Sequence, residues 1–349
     1  MDLKLKQFKH INLDDQFFDS LKQDYSEFSD WFRRKSEESA YVFEDSAGNV
    51  NGFLYLKLEN EPIPNTTPQI PASPRLKVGT MKINAHGTKL GERFLKKIFD
   101  HSLHYSVPEI YVTVFAKHKS LIYLYEKYGF VKIATKASNN GSEMVLSKHF
   151  SRVNNHIVRD YPRIDLKRGN VYLLSLWPEW HTRLLPDSIL KTETSDIIED
   201  ISHTNSIHKV YLTNMRGTEQ LQAGDTLLIY RTTDKQGPAH YRSVATSVGV
   251  VEEYRNINSF ASRQEFMEYC KPYSVFSEDE LSSFWARKNY PHVFRFTYNA
   301  ALKRRVTRGA MIENFGLDAN AYWGFMPLSK EQLKQITQAG LLNESIIID

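Results

Sequence analysis

Residues 80–99 read TMKINAHGTKLGERFLKKIF. A strand-like run enters a short turn holding Gly87 and Gly91, and a helix follows at once, with Leu90, Phe94, Leu95, Ile98 and Phe99 at helical spacing. Such a turn aims several backbone N–H groups at one point. The unsatisfied amides of the helix start add partial positive charge there. Together they make an anion site suited to a pyrophosphate, and a glycine lets a phosphate approach the main chain. Plain connection is the other reading of a strand–Gly turn–helix. The GxxxxGK[ST] and GxGxxG patterns are absent, which excludes a Walker loop and disfavours a dinucleotide fold.

Strands and helices alternate around this stretch. Residues 11–38 read as amphipathic helix, with Phe17, Phe18, Leu21, Tyr25 and Phe28 on one side. YVFED and FLYLKLE flank SAGNVNG as a hairpin. EPIPNTTPQIPASP carries five prolines in fourteen residues, so neither a helix nor a central strand runs through it. IYVTVFA reads as a buried strand, SLIYLYEKYGF as a helix stopped by Gly129, and VKIATKA with EMVLSK as a second hairpin.

This order, with LYEKYGF as its most specific piece, resembles the GNAT superfamily of acetyl-CoA-dependent N-acetyltransferases over residues 1–150. The resemblance implies that acetyl-CoA binds at His86, Gly87, Thr88, Lys89, Leu90 and Gly91, its pyrophosphate held by backbone amides. It implies that Met81, Lys82 and Ile83 pair with the pantetheine arm as an added strand. Tyr125 would be the general acid for the departing thiolate, since a phenol of ordinary pKa about 10 can protonate a sulfur of similar basicity. A core aromatic is the plainer reading of Tyr125. The turn departs from the family's R-G-x-G-x-G: His86 replaces its first basic residue and Lys89 its middle glycine. His118 stands where the family often has Asn, as a hydrogen-bonding or titratable catalytic group. No glutamate lies on RLKVGTMKI, so the amine is expected to lose its proton to water or His118.

The chain has 349 residues, 41% hydrophobic and 25% charged, enough for two domains and unlike a disordered chain. Mean hydropathy is −0.47, no apolar run has the length of a membrane span, and the N-terminus does not read as a secretory signal. One cysteine, Cys270, excludes an internal disulfide framework. A cytoplasmic protein is expected. His203, His208 and His240 lack ligand spacing, so no metal site is expected. The oligomeric state is left open.

Residues 148–168 hold six Lys/Arg against two Asp without periodicity. The division is therefore placed as a first domain 1–150, a basic linker 151–169 and a second domain 170–349. The second half is strand-rich (VYLLSL, KVYLT, TLLIY, SVATSVGVV, HVFRFTY) with capping boxes at Ser277/Glu280 and Ser329/Gln332. The expected class is α/β (α+β): a mixed sheet with flanking helices, then a partly closed β-barrel. LLSLWPEWHTRLLP and GDTLLIYRT are similar to the opening and to the GD strand of ASCH, EVE and other PUA-like domains, which implies an RNA or modified-base partner. Residues 285–308 carry seven Lys/Arg, no acidic residue and interleaved aromatics. Arg287, Lys288, Arg304 and Arg305 are therefore candidate nucleic-acid contacts, and Trp177 is a candidate wall of a base pocket, with a core tryptophan as its plainer reading. For Phe294, Phe296 and Tyr298 the core face of a strand is the favoured reading. The net charge of +4 thus averages two basic segments against an acidic remainder.

The expected function is acetyl-CoA-dependent N-acetylation of an amine, on RNA or an aminoacyl-tRNA, with the second half recognising the substrate. A protein or small-amine acceptor is one alternative. A non-catalytic nucleic-acid reader that senses coenzyme A is another.

Overall fold

The computed structural model describes residues 2–84, 89–185, 188 and 206–348. They divide into two compact units, residues 1–160 and 161–349.

In the first unit β1 (Asp2–Gln7) leads to α1 (Asp19–Asp24) and α2 (Phe28–Arg34). The single helix expected over 11–38 is thus two short helices. Tyr25 turns to an extended conformation between them and its hydroxyl donates to Glu143 Oε1 at 2.9 Å. A long-range bond here overrides helical propensity. Phe17, Phe18, Phe28 and Phe32 pack with Phe53 in one core.

β2 (Ser39–Glu44), β3 (Val50–Glu59), β4 (Thr66–Thr67) and β5 (Arg75–Ile83) come next, then α3 (Leu90–His104). β6 (Glu109–Phe115), α4 (Lys119–Lys127), β7 (Val131–Ser138), β8 (Gly141–His149) and α5 (Ile157–Asp160) complete the unit. One eight-stranded sheet runs β1-β2-β3-β5-β6-β8-β7-β4, and only β5–β6 is parallel. The proline-rich segment supplies β4, an edge strand on β7, where a short strand beside prolines is tolerated. Gly129, at φ +84°, lets the chain leave α4, with Arg159 O only 2.3 Å from where a Cβ would stand.

The second unit contains β9 (Ile164–Asp165), β10 (Val171–Leu176), α6 (Pro178–Leu184), β11 (His208–Thr213), β12 (Thr226–Arg231) and α7 (Ala239–Arg242). β13 (Val244–Asn256), α8 (Arg263–Cys270), α9 (Glu278–Arg287), β14 (His292–Thr307), α10 (Arg308–Phe315), β15 (Phe325–Leu328), α11 (Lys330–Ala339) and β16 (Ile347–Ile348) follow. Both capping boxes form as read. The main sheet runs β11-β14-β13-β12-β10-β15. Its edge strands β11 and β15 do not pair among the described residues, so no closed barrel forms among them; the sequence reading is of a partly closed one. The basic run 303–307 belongs to β14, and the end of the expected linker forms β9, paired with β16. Phe294, Phe296 and Tyr298 are buried core, in agreement with the strand reading. No helix among the described residues is long and apolar enough to cross a membrane.

Candidate active site

The parallel pair at the centre of the first unit comes apart. β5 and β6 share three rungs, Leu76↔Ile110, Lys77↔Tyr111 and Val78↔Val112, then separate, although β5 continues to Ile83 and β6 to Phe115. The cause is local. Against β3, Leu56 pairs with Val78 and Tyr55 with Thr80, leaving Gly79 as an extra residue. A bulge of this kind bends its strand and disrupts the ladder. Glycine is required because a Cβ at 79 would stand 2.6 Å from Tyr55 Cδ1. Beyond the last shared rung, the β6-facing edge of β5 has no strand partner among the described residues.

The fork opens into a cavity of about 870 Å³, within the size range of small-molecule sites. Gly79, Met81, Ile83, Gly91, Thr113 and His118 are on its walls. Its lining carries seven lysines and one histidine against four carboxylates.

Met81 and Tyr125 are brought together, with the Tyr125 hydroxyl donating to Met81 Sδ at 3.1 Å. Met81 lines the cavity and Tyr125 lies behind it, fully buried, its ring edge-on to Phe130 at 4.9 Å. Burial raises the Tyr125 phenol well above its ordinary value, so the group stays protonated. Ile83 and Lys82 both line the cavity, and the Lys82 ammonium donates to Phe17 O and Ser20 Oγ and lies 4.7 Å from the Phe17 ring centre.

Lys89 is the N-cap of α3 and Leu90 its buried first residue. Gly91 lines the cavity and also allows close helix packing, since a Cβ there would lie 2.9 Å from Leu124 Cδ2. His86, Gly87 and Thr88 lie outside the described residues. His118 is the N-cap of α4, with its Nε2 3.2 Å from Asp24 Oδ2. Asp24 also receives Lys117, so the loop after β6 is tied to the end of α1.

Two polar groups escaped the sequence reading. Glu143 on β8 lines the cavity and accepts from Tyr25, whose phenol is raised first by burial and then by that carboxylate. Tyr25 stacks on Phe115 at 5.2 Å. Glu59 on β3 accepts from Tyr111 and from Lys57 at 3.0 Å, with Lys77 at 3.5 Å. Burial works to raise the Glu59 carboxyl, but those bonds outweigh it and hold it low. The alternation of polar and apolar residues on β3, β5 and β8 was the available signal. The partners lie on other strands.

In the second unit the nucleic-acid candidates fall on three elements. Trp177 is the 56% exposed N-cap of α6, with Lys235 Nζ 5.6 Å above its ring. Arg287 ends α9 and is exposed; Lys288 follows in a left-handed conformation, its ammonium 2.8 Å from the Trp285 ring centre. On β14, Arg304 Nε donates to Ala339 O at 2.8 Å, while Arg305 donates to the carbonyls of Leu302 and Thr246. The GD turn is held from within: Gly224 has φ +97° and Asp225 accepts from the amides of Asn170 and Gln222, each at 2.8 Å. Among the described residues no three His, Cys, Asp or Glu side chains gather as metal ligands would.

No family model matches the chain, and no curated protein matches it. Among solved structures, a mutant ZmASCH protein from Zymomonas mobilis is 11% identical with a TM-score of 0.32, covering 49% of this chain and 97% of that one. Chaetomium thermophilum Naa20 in complex with a bisubstrate analogue is 14% identical with a TM-score of 0.34, covering 46% and 88%. The IAA acetyltransferase from Bacillus cereus is 15% identical with a TM-score of 0.30, covering 42% and 98%. At that level the chain is similar to them in part of its fold, and its site is read from its own residues.

Proposed function

We propose that the first unit binds acetyl-CoA along the free edge of β5 and transfers its acetyl group to a primary amine. The observation that carries this reading is the fork: a strand edge without a strand partner among the described residues, beside a cavity of about 870 Å³, with Tyr125 directly behind Met81. The unpaired edge suits an extended amide-bearing arm, which adds to it as a strand would. The start of α3 suits the negative end of the same ligand. In the transfer, the amine nitrogen forms a bond to the acetyl carbon while the bond to sulfur breaks. Tyr125 gives its proton to the leaving sulfur once the Met81 side chain swings aside. Burial makes its phenol a weaker acid than usual, so the transfer is driven by the basicity of the departing thiolate. The amine's proton goes to water or to His118, which faces the cavity and is oriented by Asp24.

The acceptor we propose is an amine carried on RNA, an aminoacyl-tRNA included, in the cytoplasm. The lysine surplus of the cavity and the acid-free stretch 285–308 support a polyanionic substrate. A protein or small-amine acceptor is the rival, favoured by the use of Arg304 and Arg305 on backbone carbonyls.

Calorimetry with acetyl-CoA tests the first step: binding is expected, and its absence removes the proposal. Tyr125→Phe should leave that binding unchanged and lower turnover by about 10²–10⁴-fold. Unchanged turnover at every pH would take the acid role from Tyr125. RNA binding should weaken steeply with salt and weaken further in Arg287→Ala; salt-independent or absent binding moves the acceptor to the rival class.

A further inference from the structure

Lys77 lines the cavity from the closed side of the fork and has no part in the transfer just described. It lies on β5 one residue before the last rung shared with β6, about 3.3 Å along the strand from Val78. Its register partners are Lys57 on β3 and Tyr111 on β6. Lys57 and Lys77 share one carboxylate, Glu59, at 3.0 and 3.5 Å, and the Lys77 ammonium lies 5.8 Å from the Tyr111 ring centre. Lys77 is therefore the more weakly held of two cations. Its side chain is 28% exposed, and the residue lines the cavity. The amine is thus withdrawn from bulk water yet open to whatever fills the fork. Burial is the strongest influence on it and favours the neutral amine; Lys136 on β7 and Lys57 act in the same sense, and Glu59 opposes them.

We propose that Lys77 is itself an acetyl acceptor, so that the chain acetylates its own fork. The inference rests on the acetyl-CoA reading above. An arm laid along β5 from Ile83 back toward Gly79 ends where the strands rejoin, and Lys77 is the first amine beyond that point. The Nζ lone pair forms the new C–N bond and the C–S bond breaks. The proton shed by Nζ passes through Glu59 to solvent, and the sulfur leaves to be protonated as a thiol. Amine and thioester become amide and thiol, with nothing oxidised or reduced. The product has no charge at Nζ, so Glu59 keeps Tyr111 and one cation, Lys57, and the fork holds an acetamide where an incoming amine would stand.

The test is peptide mass mapping of the full chain after incubation with acetyl-CoA, with calorimetry on the same preparation. Lys77 should gain an acetyl group at least about tenfold faster than the exposed Lys9 and Lys271, a small part of what fixed geometry supplies. Lys77→Arg keeps the charge and should lose the modification. Should that variant unfold, the native chain is compared with the urea-unfolded chain, in which the preference for Lys77 must vanish. Binding of acetyl-CoA with equal labelling of Lys77, Lys9 and Lys271 overturns this inference alone. Absence of binding overturns it together with the acetyl-CoA reading.

Discussion

Among the described residues each unit has one parallel strand pair in its main sheet, and the two pairs end differently. β5 and β6 hold three rungs and part; β10 and β12 hold six, from Val171↔Thr226 to Leu176↔Arg231. Both regions contain a bulge. In the first unit the extra residue, Gly79, lies on β5, a member of the parallel pair. In the second the extra residue, Thr246, lies on β13, outside the pair. A bulge turns the strand that carries it, so only β5 is steered away from its parallel neighbour. Composition follows: β10 and β12 are buried at every position, while β5 places Lys77 and Lys82 on the way to a cavity. One pair is core and the other is a site.

Substitutions in each pair put this contrast to the test. Leu228 pairs with Leu173 and both are fully buried, so Leu228→Ala should cost about 2–5 kcal/mol in denaturant unfolding and leave acetyl-CoA affinity alone. A loss of affinity with little loss of stability would reverse the roles given to the two pairs.

The bulge on β13 has its own partner. Thr246 Oγ1 is 2.8 Å from His181 Nε2, and burial, followed by the charges of Arg231 and Arg305, pushes the imidazole down to about 3. An unfolded histidine titrates near 6.5, so the unfolded chain binds the extra proton between those values. Stability is then full above pH 6.5 and declines as the pH falls toward 3. The His181 contribution is about 3 kcal/mol at most between pH 7 and pH 4. His181→Gln should flatten that slope in pH-dependent unfolding; an unchanged slope would mean that the ring is already charged in the fold.

The smallest effect is expected at the fork. Gly79→Ala pushes a methyl group against the Tyr55 ring and should cost about 1–3 kcal/mol. It should also weaken acetyl-CoA binding by altering the bulge. Full binding in a stable variant would show that the fork does not depend on Gly79.

Much of this is legible in the sequence. Leu90 to Phe99 announces α3, Ser277/Glu280 and Ser329/Gln332 announce α9 and α11, and RLKVGTMKI is β5 to the residue. Met81 and Tyr125, 44 residues apart, belong to one site in the sequence reading and are in contact. The break at Tyr25 is not legible, because the bond to Glu143 that draws it out of the helix spans 118 residues. Nor is the engagement of Arg304, whose carbonyl partner lies on α11. The partner of Asp225 in the GD turn is not legible either, since the amide of Asn170 that donates to it lies 55 residues away.

The sequence by itself determined the elements marked by periodicity, glycine stops and caps, such as α3, α9, α11 and β5, because those signals act within a few residues. It also determined that the charge is divided into basic segments. Only the tertiary structure decided which parallel pair opens, that Lys57 and Lys77 share Glu59, and that the edge strands of the second sheet do not pair among the described residues. These depend on register between distant strands, and the pair opens next to a single extra residue, Gly79.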